Sequence, residues 1–255
     1  MKNKPKPNQT ITIKYRKSQI SYLMENLIFL FKSLSSLFRN AESLINKSED
    51  AKRKIFPVVP TLRGDVFRAL RLLQLKYKNL NIFFDVGCGT GFMLLCSRVL
   101  GFSPAGVEFA DKDVAIKNGS HIQHFNGTID MSYLKNSVYS TDFCHKPEKS
   151  EWLKRLTFLR GLSSKPTNTV FYMYCPAKIK ELNLKLLETA ADNSIKGDIV
   201  FIEGFFQYSD LYPAVILKLL NSGKQRWKQI LFKPAKGEIE RITYNSYSPV
   251  FIRTK

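Results

Sequence analysis

The segment FFDVGCGTG, at residues 83–91, constrains the fold more than any other part of this sequence. It joins an apolar, strand-like run to an apolar helical pattern through three glycines in alternate positions. Glycine allows the chain to turn sharply and lets its backbone approach a ligand, because no Cβ stands in the way. In an open α/β sheet, a ligand at such a turn lies outside the carboxyl ends of the strands. The segment therefore predicts a ligand site that is built mainly from backbone.

Strand-like and helical patterns alternate from residue 82 to the end of the sequence. The predicted strands are residues 82–86, 105–109, 122–125, 169–174, 199–203, 228–233 and 250–253. Helical patterns separate all of these strands except the last two, so we expect an α/β fold with a mostly parallel, seven-stranded sheet. The last two strands are predicted to form a terminal antiparallel hairpin.

An acidic residue, Glu108, lies at the end of the second predicted strand. A carboxylate at this position can accept hydrogen bonds from the two hydroxyl groups of a ribose. Any nucleoside ligand would satisfy this geometry, so an NAD-dependent oxidoreductase is an alternative. The spacing Asp-x-Gly-x-Gly-x-Gly that begins at Asp85 disfavours NAD, because dinucleotide folds carry G-x-G-x-x-G, with the third glycine one residue later.

The stretch from Asp85 to Gly91 resembles motif I of the class I S-adenosylmethionine-dependent methyltransferases, and the stretch from Gly106 to Phe109 resembles the next motif of that family. The resemblance extends with decreasing specificity over about residues 58–210. It implies a Rossmann-like methyltransferase fold that binds S-adenosyl-L-methionine. The cofactor-binding residues that it implies are Asp85, Gly87, Cys88, Gly89, Gly91, Glu108 and Phe109.

Each of these residues has a role by the same resemblance. The three glycines line the methionine moiety, Asp85 orients the turn or contacts the amino group, and Glu108 binds the ribose. The family usually places a Gly-Asp pair after the third strand, where the acid contacts adenine. Here Gly127 is followed by Thr128, with Asp130 close by, so we expect either Thr128 or Asp130 to make that contact.

The methyl acceptor approaches the end of the fourth strand in this family, and that strand ends here in Tyr174-Cys175-Pro176. The Asn/Asp-Pro-Pro-aromatic signature of enzymes that methylate base amino groups is not met. Tyr174 is predicted to stack on or hydrogen-bond to the acceptor, and Glu203, which ends the fifth strand, to bind it or remove its proton. For Tyr174, an ordinary strand-end role remains an alternative. For Glu203, the alternative is a carboxylate exposed at the rim of the sheet.

The predicted activity is methyl transfer to an acceptor nitrogen or oxygen, with protein lysine and nucleic acid as the leading acceptors. The atypical end of the fourth strand keeps a second hypothesis open. By this hypothesis the chain is a non-catalytic, cofactor-binding subunit or scaffold of the same fold.

Three segments are predicted along the chain. Residues 1–17 are polar and basic, so we expect a disordered tail, and residues 57–255 form the methyltransferase domain. Residues 18–56 form a helical extension and linker, in which apolar residues recur every three or four positions over residues 18–46. Packing of this amphipathic helix on the catalytic domain is favoured over membrane or partner binding.

The formal net charge of +19 predicts attraction to polyanions, although a surface rich in lysine would have the same charge without any such partner. Residues 135–165 form a basic insert with Trp152 among its cations, and a solvated helix face is favoured there over RNA binding. No metal site is predicted from the four cysteines and three histidines. No apolar run reaches 18 residues and no secretory signal is recognisable, so we expect no membrane span and a cytoplasmic protein.

Overall fold

The computed structural model describes residues 9–19, 64–88, 91–108, 138–140, 150–162, 167–174, 180–203, 213–237 and 249–255. The strands in this part of the chain are β1 (Thr10–Tyr15), β2 (Leu80–Val86), β3 (Ser103–Glu108), β4 (Val138–Ser140), β5 (Asn168–Tyr174), β6 (Ile199–Glu203), β7 (Trp227–Pro234) and β8 (Val250–Arg253). The α-helices are α1 (Gly64–Lys76), α2 (Phe92–Val99), α3 (Glu151–Gly161), α4 (Lys180–Asp192) and α5 (Pro213–Leu220).

All eight strands belong to one sheet, in the order β1-β7-β8-β6-β5-β2-β3-β4. The neighbours from β4 to β6 are parallel, whereas β8 is antiparallel to both β6 and β7. The mostly parallel sheet and the terminal antiparallel hairpin are therefore confirmed. The chain adds β3 and β4 on one side of β2, and then β5 and β6 on the other. This reversal makes the carboxyl end of β2 the switch point of the sheet.

Strand β2 lies inside the sheet and is buried along almost its whole length. Its near-continuous apolar sequence suits a strand that is covered on both faces. Phe83 faces the core formed with α1 and α2, where its ring stacks on Tyr172 at a centroid distance of 5.5 Å. Phe84 faces the core formed with α3, α4 and α5, where it contacts Trp152 at 5.4 Å. Successive residues thus anchor the two helical layers.

The predicted disordered tail is wrong over residues 10–15, because these residues form β1. This strand pairs in parallel with β7 from Thr10 opposite Gln229 to Tyr15 opposite Pro234. Ile13 and Tyr15 are 6% and 2% exposed, and both belong to the core beneath α1. Alternating apolar residues thus cover an edge that β7 would otherwise expose. Within the described residues, β1 thus adds an edge strand to the sheet, which has eight strands there.

The third predicted strand, residues 122–125, lies outside the described residues, as does the helical extension beyond Gln19. The strand that pairs with β3 is β4, whose residues Val138–Ser140 lie opposite Gly106–Glu108. The predicted boundary of the basic insert is therefore wrong, because residues 138–140 belong to the sheet. A strand of three residues carries too short a pattern to be recognised from periodicity.

The docking of β1 predicts a stability difference between its two faces. Ile13→Ala should lower the free energy of unfolding by about 2 kcal/mol or more, because it removes buried methyl groups and leaves a cavity. Thr12→Ala, on the exposed face of the same strand, should change it by no more than about 0.5 kcal/mol. Urea unfolding of both variants provides the measurement. Equal effects would show that β1 is not packed as described.

Candidate functional site

The glycine turn follows β2 directly, and two of its glycines have left-handed backbone conformations. Gly87 has φ +83°, and Gly91, with φ +79°, is the N-cap of α2. Residues with a Cβ avoid this region at a cost of about 1–2 kcal/mol. Among the described residues, no atom beyond its chain neighbours lies within 4 Å of where a Cβ on Gly87 would stand. The turn therefore has open space beside it, and glycine is needed there for backbone conformation and not for close packing.

Two hydrogen bonds join the glycine turn to β3. The N–H groups of Gly87 and Cys88 both donate to the carbonyl oxygen of Val107, at 2.9 and 3.0 Å. Val107 is the register partner of Val86, and Glu108 follows it as the last residue of β3. The backbone of Glu108 consequently lies beside the turn. A nucleoside site at this edge requires a glycine turn of this kind next to the end of the neighbouring strand.

Gly106 permits this close approach of β3 to the turn. A Cβ on Gly106 would lie 2.9 Å from the carbonyl oxygen of Asp85 and 3.1 Å from the Cβ of Cys88. Backbone atoms cannot move away as a flexible side chain can, so any residue larger than glycine would push the strand or the turn aside. From the sequence, Gly106 was only part of a motif; the structure gives it a steric role.

The side chain of Asp85 is buried beneath the turn, with 3% exposure. Asp85 is the register partner of Gly106 on one side and of Tyr172 on the other. Cys88, within the turn, is 6% exposed. Asp85 thus precedes the turn and Cys88 belongs to it; their predicted contact with the cofactor stays a prediction.

A second group of polar side chains lies on β5 and β6, the strands beside β2. The phenolic hydroxyl of Tyr172 donates a hydrogen bond to Oε2 of Glu203, and both residues are 1% exposed. The Tyr172 ring is held between Phe83, on which it stacks, and Phe201, which meets it edge-on at 5.8 Å. A tyrosine fixed on both sides by aromatic rings offers its hydroxyl in one place. Tyr172 therefore sets the position of the Glu203 carboxylate.

Tyr172 was missed by the sequence analysis, although a signal for it exists. Tyr174 is the register partner of Glu203, and Tyr172 precedes Tyr174 by two residues on the same strand. Residues two apart on a strand lie on one face. The choice of Glu203 could therefore have drawn attention to both tyrosines, and not to Tyr174 alone.

Several predicted site residues fall outside the described part of the chain: Gly89, Phe109, Thr128 and Asp130. The interpretation of Trp152 as an aromatic available to RNA is wrong. Trp152 is 0% exposed and packs on Phe84, so it belongs to the core.

Two further buried groups do not belong to this site. Burial raises the pKa of the Cys96 thiol well above its usual value, which makes this core cysteine unreactive. Asp198 lies before β6, at the opposite edge of the sheet, and is bonded to Arg160. Burial raises the pKa of Asp198 although the nearby guanidinium lowers it.

Within the described ranges, no cluster of His, Cys, Asp and Glu could hold a metal ion. No helix in the same ranges is long and apolar enough to cross a membrane.

The position of the turn and the strand directions together decide the fold. The turn lies at the switch point of the sheet, and the antiparallel strand β8 lies between β6 and β7. The chain has the Rossmann-like fold of the class I methyltransferases. No family profile and no curated protein matches the sequence.

Several solved structures of methyltransferases are similar at low identity. An rRNA methylase from Streptococcus thermophilus is 12% identical, with a TM-score of 0.44, and the match covers 77% of this chain and 100% of that one. TehB from Haemophilus influenzae is 11% identical with a TM-score of 0.42, covering 84% and 67%. A SAM-dependent methyltransferase from Archaeoglobus fulgidus is 15% identical with a TM-score of 0.39, covering 74% and 92%. All three TM-scores are below 0.5. Strand order and strand direction, and not these similarities, define the fold.

The steric role of Gly106 in this methyltransferase fold can be tested by substitution. Gly106→Ala should destabilise the protein by about 1–3 kcal/mol, because the new methyl group would overlap backbone at the turn. It should also weaken the binding of S-adenosylhomocysteine, since the turn and β3 would separate. Gly161→Ala is the matched control, because a Cβ there would meet nothing within 4 Å. Thermal unfolding and calorimetry would reveal both effects, and an unchanged Gly106→Ala variant would contradict the geometry.

Proposed function

We propose that this protein transfers a methyl group from S-adenosyl-L-methionine to an acceptor nitrogen or oxygen. The observation that carries the proposal is the pair of hydrogen bonds from the N–H groups of Gly87 and Cys88 to Val107. These bonds hold the glycine turn, which has few side chains, next to the strand that ends in Glu108. The resemblance of both segments to methyltransferase motifs agrees with this arrangement.

The residues at the turn fit an adenosyl amino acid. Gly87 leaves open space where a side chain would otherwise project, so backbone can line the methionine part of the ligand. Glu108, at the end of the neighbouring strand, would bind the ribose hydroxyls through its carboxylate. Asp85 is buried below the turn and would hold its shape. The sulfonium group of the bound cofactor supplies an activated methyl group.

On the acceptor side, the protein must hold a nucleophile in line with the methyl group and remove a proton where the acceptor requires it. Tyr174 and Glu203 are the candidates, because they are adjacent in register at the carboxyl ends of β5 and β6. Tyr172 would act as a positioning residue that fixes the Glu203 carboxylate. We propose protein lysine or nucleic acid as the acceptor.

A non-catalytic, cofactor-binding subunit of the same fold is the second candidate. The Tyr174-Cys175-Pro176 sequence at the end of β5 favours it, since a signature of amino-methylating enzymes is missing there. The two candidates agree on cofactor binding and differ only in transfer. An NAD-dependent oxidoreductase differs from both in its ligand.

Cofactor identity can be tested by calorimetry with S-adenosylhomocysteine and with NAD. We expect the chain to bind the first ligand and not the second. Gly87→Val should abolish this binding, because a branched side chain would enter the open space and disfavour the left-handed backbone. Gly101→Val is the matched control, since Gly101 also has a positive φ, +91°, and open space around it. Binding of NAD alone would overturn the proposal.

Catalysis can be tested with tritiated S-adenosylmethionine and cell extract separated into protein and nucleic-acid fractions. We expect label in one of the two fractions. Glu203→Gln should reduce the rate about 10²-fold or more if Glu203 removes a proton, while leaving S-adenosylhomocysteine affinity intact. Tyr172→Phe should shift the pH profile of transfer, since it removes only the hydrogen bond to the carboxylate. A wild-type protein that binds the cofactor but labels neither fraction would support the non-catalytic subunit.

A further inference from the structure

Three segments meet at the edge of the sheet opposite the glycine turn. Strands β6 and β7 begin at this edge and β8 ends there, because β8 is antiparallel to both. The N–H of Gly197 donates to the carbonyl of Arg253 at 2.8 Å, and the N–H of Thr254 donates to the carbonyl of Arg226 at 2.7 Å. The N–H of Arg226 donates in turn to the carbonyl of Lys255 at 3.2 Å. These bonds fix the three segments against one another.

The three segments present four exposed cationic residues, which we name the basal cluster: Lys196, Lys224, Arg226 and Lys255. Arg226 stays exposed although its guanidinium donates to the carbonyl oxygens of Gly223 and Gln225, whereas Arg253 is half-buried. The Arg253 guanidinium donates to the carbonyl and hydroxyl of Ser194 and to the carbonyl of Lys255. The basal cluster is therefore carried by ordered backbone and not by a loose tail.

The carboxylate inside this edge does not neutralise the basal cluster. Asp198 is 0% exposed and accepts hydrogen bonds from the Arg160 guanidinium and from the N–H groups of Ile195 and Thr169. Its charge is thus used within the protein. Asp192, at the end of α4, is an exposed carboxylate in a neighbouring segment, and the cluster keeps an excess of positive charge even when it is counted.

We propose that the basal cluster binds the phosphate backbone of duplex nucleic acid, at the sheet edge away from the glycine turn. Several exposed cations on ordered backbone favour a polyanion, because each contact with a phosphate releases counterions. Trp227, the aromatic residue beside the cluster, is 2% exposed. Among the described residues of these three segments, Trp227 is the aromatic one and is buried, so the segments offer charge without a stacking platform, which suits a duplex better than an unpaired strand.

This binding is independent of methyl transfer, because it uses the opposite edge of the sheet. A duplex on the basal cluster would not occupy the space beside Gly87. The protein would then remain attached to a nucleic acid while its other edge stays accessible to cofactor and acceptor. Sequence-independent binding is expected, since phosphate contacts carry no base information.

The test compares the full-length wild type with a basal variant that carries Lys196→Gln, Lys224→Gln, Arg226→Gln and Lys255→Gln. Fluorescence anisotropy with labelled duplex DNA, and separately duplex RNA, would give affinity at several salt concentrations. If all four residues contact phosphates, the slope of log affinity against log salt should become shallower by about 3–4 on DNA. In the double variant Lys196→Gln, Lys224→Gln, the slope should change by about half as much. This variant replaces the fourfold variant in the test if the latter unfolds.

The matched control removes four other exposed cations: Lys14, Arg16, Lys233 and Lys236. They lie near the carboxyl ends of β1 and β7, so the net charge changes equally at the opposite edge. This control should keep most of the wild-type slope. An equal loss in both variants would overturn the proposal, as would a wild type that binds no duplex.

Two further measurements distinguish duplex binding from membrane binding and from the methyltransferase proposal. Vesicles containing phosphatidylserine should bind more weakly than duplex at the same salt concentration; binding to vesicles alone would overturn the proposal. S-adenosylhomocysteine affinity should be unchanged in the basal variant. If the wild type bound duplex but not S-adenosylhomocysteine, the methyltransferase proposal would fail and the basal cluster would stand.

Discussion

The functional edge of this protein depends on the hydrogen bonds that two consecutive N–H groups, of Gly87 and Cys88, make to the carbonyl of Val107. They extend the pairing of β2 and β3 beyond the end of β2, so the glycine turn is held against the neighbouring strand. A turn with left-handed glycines would otherwise have many conformations available. With the turn fixed, the open space beside Gly87 and the backbone of Glu108 keep a constant relation, and preorganisation of this kind reduces the cost of ordering on ligand binding.

The carboxyl ends of β5 and β6 lie at the same edge of the sheet as the glycine turn. Here buried side chains, and not bare backbone, provide the polar groups. Tyr172 is held between two aromatic rings and fixes Glu203 from the adjacent strand. Burial of a carboxylate is costly unless hydrogen bonds satisfy it. The bond from Tyr172 therefore both stabilises the buried acid and orients it, and the two halves of the site are joined because Tyr172 is also the register partner of Asp85.

The opposite edge shows how the same sheet separates two kinds of surface. The Arg160 guanidinium donates to the buried Asp198 carboxylate, and the Arg253 guanidinium donates to the carbonyl of Ser194. These bonds join the segments around Asp198 at this edge. The four cations of the basal cluster are exposed, and the Arg226 guanidinium donates to the carbonyl oxygens of Gly223 and Gln225. A parallel sheet places all strand starts on one edge and all carboxyl ends on the other. The proposed polyanion binding and the proposed cofactor binding would therefore use opposite edges of one domain.

The sequence alone determined the fold class and the location of the candidate site, because the patterns that indicate them are local. Alternating apolar runs predict βαβ units, and the three glycines after Asp85 need no distant partner to be recognised. Long-range features were decided only by tertiary structure. β1 became a strand because β7 offers an edge and the core accepts Ile13, neither of which residues 10–15 contain. Likewise, the pairing of Tyr172 with Glu203 and the steric role of Gly106 arise between strands far apart in the chain, where only the sheet register sets which atoms meet.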